Sequence, residues 1–253
     1  MIRLKNKAQM QRIRESCAML SELFAALTPL ARPGISTAEL DAFAKDFIVS
    51  RGAMPAFLGY EGYPASLCVS INEVVIHGIP DKRRLAEGDI VGLDCGIDLN
   101  GHFSDAAITL AVGGISEEAQ RLLGVTRECL DRAIAAVRPG ARVHDVSRAV
   151  YGYAVARGYG VVRDYCGHGV GFSPHEDPQI PNYPSQGPNP RLVPGMVLAI
   201  EPMINAGTGD VRLLSDDWTV VTADGRLSAH YEHTVAVTQD GAEVLTSWSM
   251  PGA

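Results

Sequence analysis

The 253-residue sequence predicts an α+β fold. Its expected form is a mostly antiparallel sheet, two layers deep with helices on one side, built from two related halves. Three observations carry that prediction. Apolar runs in residues 89–112 flank Asn100-Gly101, a dipeptide that tolerates positive φ and closes a tight hairpin. Helical patterns occur in pairs, one pair before the hairpin and one after it. Short strands separated by turn residues fill the remainder. The halves show as a repeat within the sequence. Arg32-Pro33-Gly34, with Gly52 eighteen residues beyond the glycine, matches Arg138-Pro139-Gly140 and Gly158 at an offset of 106. The run from Leu85 through Gly88 to Asp94 matches Leu192 through Gly195 to Glu201 at an offset of 107. One domain over 1–253 is expected, with halves near 6–112 and 113–253.

Met10, Ile13, Cys17, Leu20, Phe24 and Leu27 recur at helical spacing and predict a helix that ends near Pro29. Ser36 and Glu39 form a capping-box signature, so a second helix is expected to about Arg51, with Gly52 as terminator. Residues 59–63 read as a loop and 67–76 as one strand. The hairpin at 89–112 follows, then helices over 117–137 and 143–157. The Gly-rich run 165–178 reads as a loop. Strands are expected at 160–166, 195–204, 217–222, 227–238 and 242–248, with Asp224-Gly225 and Asp240-Gly241 as turns.

Composition narrows the function. The formal net charge of −7 argues against a general nucleic-acid binder. The local basic clusters (Lys5, Lys7, Arg12, Arg14; Lys82, Arg83, Arg84) read as solvated faces. Five widely spaced cysteines make neither a disulfide framework nor a C-x-x-C zinc motif, and they suggest a reducing, cytosolic compartment. No apolar run is long enough to span a bilayer, and neither a secretory signal nor a transit peptide is expected.

The chemistry gathers on strand carboxylates. With Asn100-Gly101 as the hairpin loop, Leu99 pairs with His102, Ile97 with Ser104 and Gly96 with Asp105. Asp94 and Asp105 then share a face as diagonal neighbours, with Cα atoms about 7–8 Å apart. Taken alone, they are either two surface aspartates near a turn or half of a cation site. Glu201 lies in an apolar strand, Val-Leu-Ala-Ile-Glu, where a buried carboxylate needs a partner. Alternation places His230, Glu232 and Thr234 on one face of a later strand. The repeat aligns Asp94 with Glu201, so a site between the halves receives one carboxylate from each. His168 and His175 stand in the Gly-rich run, where glycines permit close backbone approach, and His77 precedes Gly78. A lone histidine is more often structural than a ligand. Two beside several strand carboxylates reverse that balance. An oxygen-rich set suits two divalent ions such as Mn²⁺, Fe²⁺ or Co²⁺ better than one structural zinc, and a dinuclear site supports hydrolysis.

At this point the chain resembles the methionine aminopeptidase family, type I, the short bacterial form, over essentially its whole length. The matching runs are Leu58-Gly-Tyr-x-Gly-Tyr-Pro64, Asn72-Glu-Val-Val-x-His-Gly-Ile-Pro80, Tyr165-Cys-Gly-His-Gly-Val-Gly171, Ala199-Ile-Glu-Pro-Met203 and Ala229-x-Tyr-Glu-His-Thr234. The resemblance implies the "pita-bread" fold with two pseudo-symmetric halves. It also implies removal of N-terminal methionine from nascent chains whose second residue is small. By resemblance, the metal ligands are Asp94, Asp105, His168, Glu201 and Glu232, holding two ions (Co²⁺, Mn²⁺ or Fe²⁺, with Zn²⁺ also compatible). Glu201 would carry the proton from the attacking water to the leaving amine, His175 would bond the developing tetrahedral centre, and His77 would contact the scissile amide. Tyr60, Tyr63, Cys68, Met203 and Trp218 would line the methionine pocket. Asn72, Val74 and Ser228 match positions that hold Na⁺ or K⁺ in relatives. Phe57 and Pro174 depart from the family pattern, a small residue and a large aromatic respectively, and both are assigned to the pocket rim. The family is usually monomeric, and any ribosome contact would use the domain's own surface. Two rival readings are a proline-directed aminopeptidase or dipeptidase of the same fold, and a pita-bread protein that only binds partners. The latter should lack ligands that are all present here.

Overall fold

The computed structural model describes residues 1–248. The last five residues of the expected 113–253 half lie outside the described residues. The chain runs α1 (Lys7–Leu27), α2 (Thr37–Ser50), β1 (Met54–Pro55), β2 (Cys68–Ile71), β3 (Val74–Ile76), β4 (Ile90–Asp98), β5 (Phe103–Ala111), α3 (Glu117–Ala136) and α4 (Val143–Val155). Then come β6 (Gly160–Val161), β7 (Cys166–Gly169), β8 (Glu176–Pro181), β9 (Val197–Ile200) and β10 (Met203–Asn205). The last strands are β11 (Val211–Leu213), β12 (Val220–Thr222), β13 (Ser228–His230), β14 (Glu232–Val237) and β15 (Ala242–Val244). Asn6 caps α1 through a capping box with Gln9, and Ser36 and Glu39 form the expected box on α2.

Among the described residues, the main sheet orders its strands β1-β4-β5-β14-β9-β7-β8, with β2 added on β4 and β15 on β14. Every pairing within it is antiparallel. Two smaller sheets, β13-β10-β6 and β11-β12-β3, lie beside it. The alternation of β4 and β5 divides the faces. Leu93, Cys95, Ile97, Ala106 and Ile108 pack in one buried cluster with Leu20, Phe24, Leu40 and Ile48 of the first helices and Leu122 and Leu130 of α3. Asp94 and Asp105 take the opposite face.

Equivalent backbone bonds recur in the two halves. Gly34 N–H donates to Leu85 O (2.8 Å) and Gly140 N–H to Leu192 O (2.9 Å). The return bonds are Leu85 N–H to Ile35 O (2.9 Å) and Leu192 N–H to Ala141 O (2.7 Å). Isolated bridges Ser36–Arg84 and Arg142–Arg191 sit at the matching places. In each half, the chain entering the second helix is thus tied to the turn before the strand that leads to an acidic residue, Asp94 or Glu201.

Several expected strands are broken, each for a local reason. Residues 67–76 form β2 and β3, because Asn72 takes a left-handed φ of 57° and its side chain bonds Asp89 and the Ile90 N–H. The expected strand 195–204 stops at Glu201-Pro202, where proline has no N–H for the ladder, and resumes as β10 in another sheet. Residues 227–238 divide at Tyr231, whose hydroxyl donates to Thr109 O (2.7 Å). The strand expected at 160–166 is only β6, and β11 went unforeseen. The Gly-rich run is not simply a loop: β7 and β8 occupy both its ends.

Candidate metal centre

Strand register converges the carboxylates. In the β4–β5 hairpin Gly96 faces Asp105, Ile97 faces Ser104, and Asp94 faces Ala107. The Leu99–His102 pair closes the loop, with Asn100 and Gly101 both at positive φ. Glu232 of β14 pairs with that same Ala107 from the other side, which brings its side chain beside Asp94 and Asp105. His168 pairs with Ala199, two residues before Glu201, so the second half delivers an imidazole and a carboxylate to the same place. His168 Nε2 lies 3.4 Å from Glu201 Oε1 and 3.9 Å from Asp105 Oδ2. One ligand atom each from Asp105, His168 and Glu232 falls within 4.8 Å of the others. Asp94 and Glu201 stand outside that tightest trio but on the wall of the same cavity.

The electrostatics of this cluster are those of a cation site. Burial, with the Glu201 charge adding to it, pushes the Asp94 carboxyl up to about 7. Burial and then the neighbouring carboxylates push Asp105 and Glu232 well above the ordinary range, and burial does the same to Glu201. His168 is driven down to about 3, first by burial and then by His175. Its Nδ1 lies 2.9 Å from Gly169 O, a pure acceptor, so the proton sits on Nδ1 and the Nε2 lone pair faces the carboxylates. Asp94 Oδ1, Asp105 Oδ1 and Glu232 Oε1 are buried without a hydrogen-bond partner. Buried carboxylate oxygens left unpartnered are costly, and divalent cations satisfy several at once. The oxygen-rich set with one imidazole therefore fits the divalent ions expected from the sequence.

The cavity above these groups has a volume of about 270 Å³. Phe57, Tyr60, Tyr63, Cys68, His77, His175 and Trp218 line it, as does Glu61, which the sequence did not single out. Tyr63, Cys68, Phe57 and Trp218 form one apolar cluster, with the Tyr63 and Trp218 rings edge to face at 5.0 Å. His77, at a left-handed φ of 57°, packs edge to face against Tyr165 and Trp218, and burial lowers it to about 4. His175 Nδ1 lies 3.2 Å from the Tyr60 hydroxyl, and its ring centroid is 4.2 Å from that of His168. Two expected pocket residues are not on the wall. Met203 belongs to β10, the continuation of the chain beyond Pro202, and packs in a separate cluster with Val75, Ile76, Val162 and Val220. Pro174 is buried within the bend before His175. Of the three positions expected to hold a monovalent cation, Asn72 and Ser228 meet through a backbone bond, Ser228 N–H to Asn72 O (2.9 Å). Val74 begins β3, two residues beyond Asn72.

Residues 11–239 match the model of metallopeptidase family M24. The chain belongs to metallopeptidase family M24. It is 56% identical over 247 residues to the methionine aminopeptidase of Treponema pallidum (strain Nichols), covering 97% of this chain and 96% of that one. The crystal structure of methionine aminopeptidase from Rickettsia prowazekii superposes with a TM-score of 0.95 at 40% identity, over 98% of this chain and all of that one. The Thermotoga maritima methionine aminopeptidase structure gives the same TM-score and coverage at 41% identity.

In this M24 chain, several residues outside the expected set hold the site together. Thr109 donates to His230 O (2.7 Å) and accepts from His230 N–H (2.9 Å), which anchors the break between β13 and β14 and hence where Glu232 begins. The Thr234 hydroxyl donates to Asp105 O (2.7 Å) and accepts from Asp105 N–H (3.0 Å). Asn182 donates to Glu201 O (2.9 Å). His230, nearly fully buried, sets an unpartnered Nε2 3.5 Å from Glu201 Oε2. Alternation with Glu232 was the signal for His230. It placed Thr234 on that face too, whereas Thr109 carried no signal, because a strand threonine is ordinary.

Proposed function

We propose that this chain is a dinuclear-metal methionyl aminopeptidase that removes the N-terminal methionine from proteins whose second residue is small. The observation that carries the reading is a cavity with four carboxylates and a neutral imidazole at one end and an apolar wall at the other. Asp94, Asp105, His168, Glu201 and Glu232 would hold two divalent cations (Co²⁺, Mn²⁺, Fe²⁺ or Zn²⁺), which lower the pKa of water and polarise the scissile carbonyl. Glu201 takes the proton of the attacking water on its carboxylate and passes it to the leaving amine. The bond from Asn182 to Glu201 O steadies the backbone beneath that carboxylate.

His175 donates to the carbonyl oxygen as negative charge develops there. The Tyr60 hydroxyl, donating to His175 Nδ1, leaves the ring proton on Nε2 for this purpose, and desolvation by the cavity lowers the ring's pKa, which favours the neutral form. His77 contacts the scissile amide. Tyr60, Tyr63, Cys68 and Trp218 receive the methionine side chain, and Phe57 forms the rim past which the second residue lies. A bulky second residue clashes or displaces the amide, and a 1 Å shift can cost about 10²-fold. Oxygens of Asn72, Val74 and Ser228 would hold one Na⁺ or K⁺.

The reading extends to the whole chain. It takes residues 1–253 as one catalytic domain of two pseudo-symmetric halves, acting as a cytoplasmic monomer on nascent chains at the ribosome. All five cysteines are free, which suits a reducing compartment. No helix among the described residues is long and apolar enough to cross a membrane. The test is to strip the protein with a chelator and add Mn²⁺ or Co²⁺ back while following free methionine released from Met-Ala-Ser. Activity should vanish and return. Full turnover after chelation would contradict the metal-dependent reading.

A further inference from the structure

Lys5 and Glu176 form an ion pair at 2.7 Å whose side chains are only 1% and 3% exposed. The pair is built in. Lys5 N–H donates to Gly195 O (2.8 Å), and two glycines leave room for the lysine. A Cβ on Gly171 would stand 2.9 Å from Lys5 Cε, and one on Gly195 3.1 Å from Lys5 O. The other carboxylate oxygen of Glu176 accepts the Phe172 N–H, so Glu176 closes the 172–176 bend from inside while Lys5 holds Glu176. The Lys5 ammonium also lies over the Phe172 ring, 5.1 Å from its centroid. His175 is the residue immediately before Glu176 and projects from this bend into the cavity.

A buried ion pair is a weak source of net stability, because desolvating two charges offsets their attraction. What it supplies here is a directional tie on one loop. We propose that Lys5 and Glu176 are positioning residues for His175: they hold the bend so that the imidazole stands between the Tyr60 hydroxyl and the His168 ring. The proposal rests on the role assigned to His175 above.

The test uses full-length, metal-loaded protein and a double-mutant cycle of Lys5→Met with His175→Ala, read as kcat and KM on Met-Ala-Ser with metal content measured for each variant. Lys5→Met should lower kcat about 10- to 10²-fold, the cost of a small misplacement, with KM and metal content near those of the parent. In the His175→Ala background the same substitution should change kcat less than about twofold, since the group it positions is gone. If Lys5→Met does not fold, Lys5→Met/Glu176→Gln, neutral at both ends, carries the same cycle. A parent-like kcat in the Lys5 variant, or an equal loss with and without His175, would overturn the positioning proposal alone. A parent-like kcat in His175→Ala would remove the role itself, and the positioning proposal with it.

Discussion

His175 reaches the cavity from a bend, whereas Asp94, Asp105, His168 and Glu232 project from paired strands. It is therefore the residue whose contribution separates most cleanly from metal binding. His175→Ala should lose about 10²–10³ in kcat, the scale of one transition-state hydrogen bond, with metal content unchanged by elemental analysis. Phe57→Ala opens the cavity wall, and hydrolysis of Met-Val-x relative to Met-Ala-x should rise about tenfold, the scale of a few buried carbons. The titration of the cluster has a definite sign. Asp94, raised to about 7, and Asp105, Glu201 and Glu232, raised well above their ordinary values, bind more protons in the metal-free fold than in the unfolded chain. Their contribution to stability is full at low pH and lost as pH rises through the folded values. The buried histidines, lowered in the fold, oppose this below about 6.5 and drop out above it, where they are neutral in both states. Chelated protein should thus lose denaturant stability as pH rises above about 6.5, and added Mn²⁺ should reverse that slope. At this scale, the clustered carboxylates were legible because a carboxylate in an apolar strand is anomalous. Thr109, Asn182 and the pairing of Thr234 with Asp105 were not, because the partners lie more than a hundred, or about twenty, residues away.

Strands and helices were legible where local chemistry decides them. The Asn100-Gly101 turn set the hairpin register, and with it the placement of Asp94 and Asp105 on one face. The apolar spacing of α1 predicted residues that are all buried, from Met10 to Leu27. The breaks at Asn72 and Tyr231 were not legible. They arise where one continuous apolar pattern serves two sheets, and only tertiary partners such as Asp89 and Thr109 show where the chain changes sheet. The Gly-rich run was read as a loop because glycine is a poor strand former. In the fold it pairs, since small residues let β7 lie close between β8 and β9. Thr109→Val tests the junction that starts β14. It leaves the buried His230 N–H and C=O unsatisfied, at about 1–3 kcal/mol each. The metal-loaded protein should lose a few kcal/mol in urea unfolding and bind Mn²⁺ more weakly, because Glu232 is two residues from the loosened point. A variant with parental stability and affinity would show that Thr109 does not hold that junction.

Across the whole molecule, the two halves meet at the cluster: Asp94 and Asp105 come from the first, and His168, Glu201 and Glu232 from the second. The internal repeat made the alignment of Asp94 with Glu201 visible in sequence. It could not show that β14 inserts between β5 and β9, because strand order across a sheet leaves no mark on local pattern. Because the cluster draws on both halves, a metal bound there would couple to global stability. At a free ion concentration of about 100 times Kd the gain is about 2.7 kcal/mol, or roughly 5–10 °C in Tm for a chain of this size. Calorimetry with and without Mn²⁺ measures it, and an unchanged Tm would separate the cluster from metal altogether. Substrate selectivity separates a methionyl aminopeptidase from a proline-directed enzyme of the same fold. Metal-loaded protein is offered Met-Ala-Ser and an x-Pro-y peptide side by side, and the products are identified by mass spectrometry. Free methionine is expected from the first peptide and no cleavage of the second. Cleavage of x-Pro-y, or of neither peptide, would contradict the methionyl aminopeptidase reading.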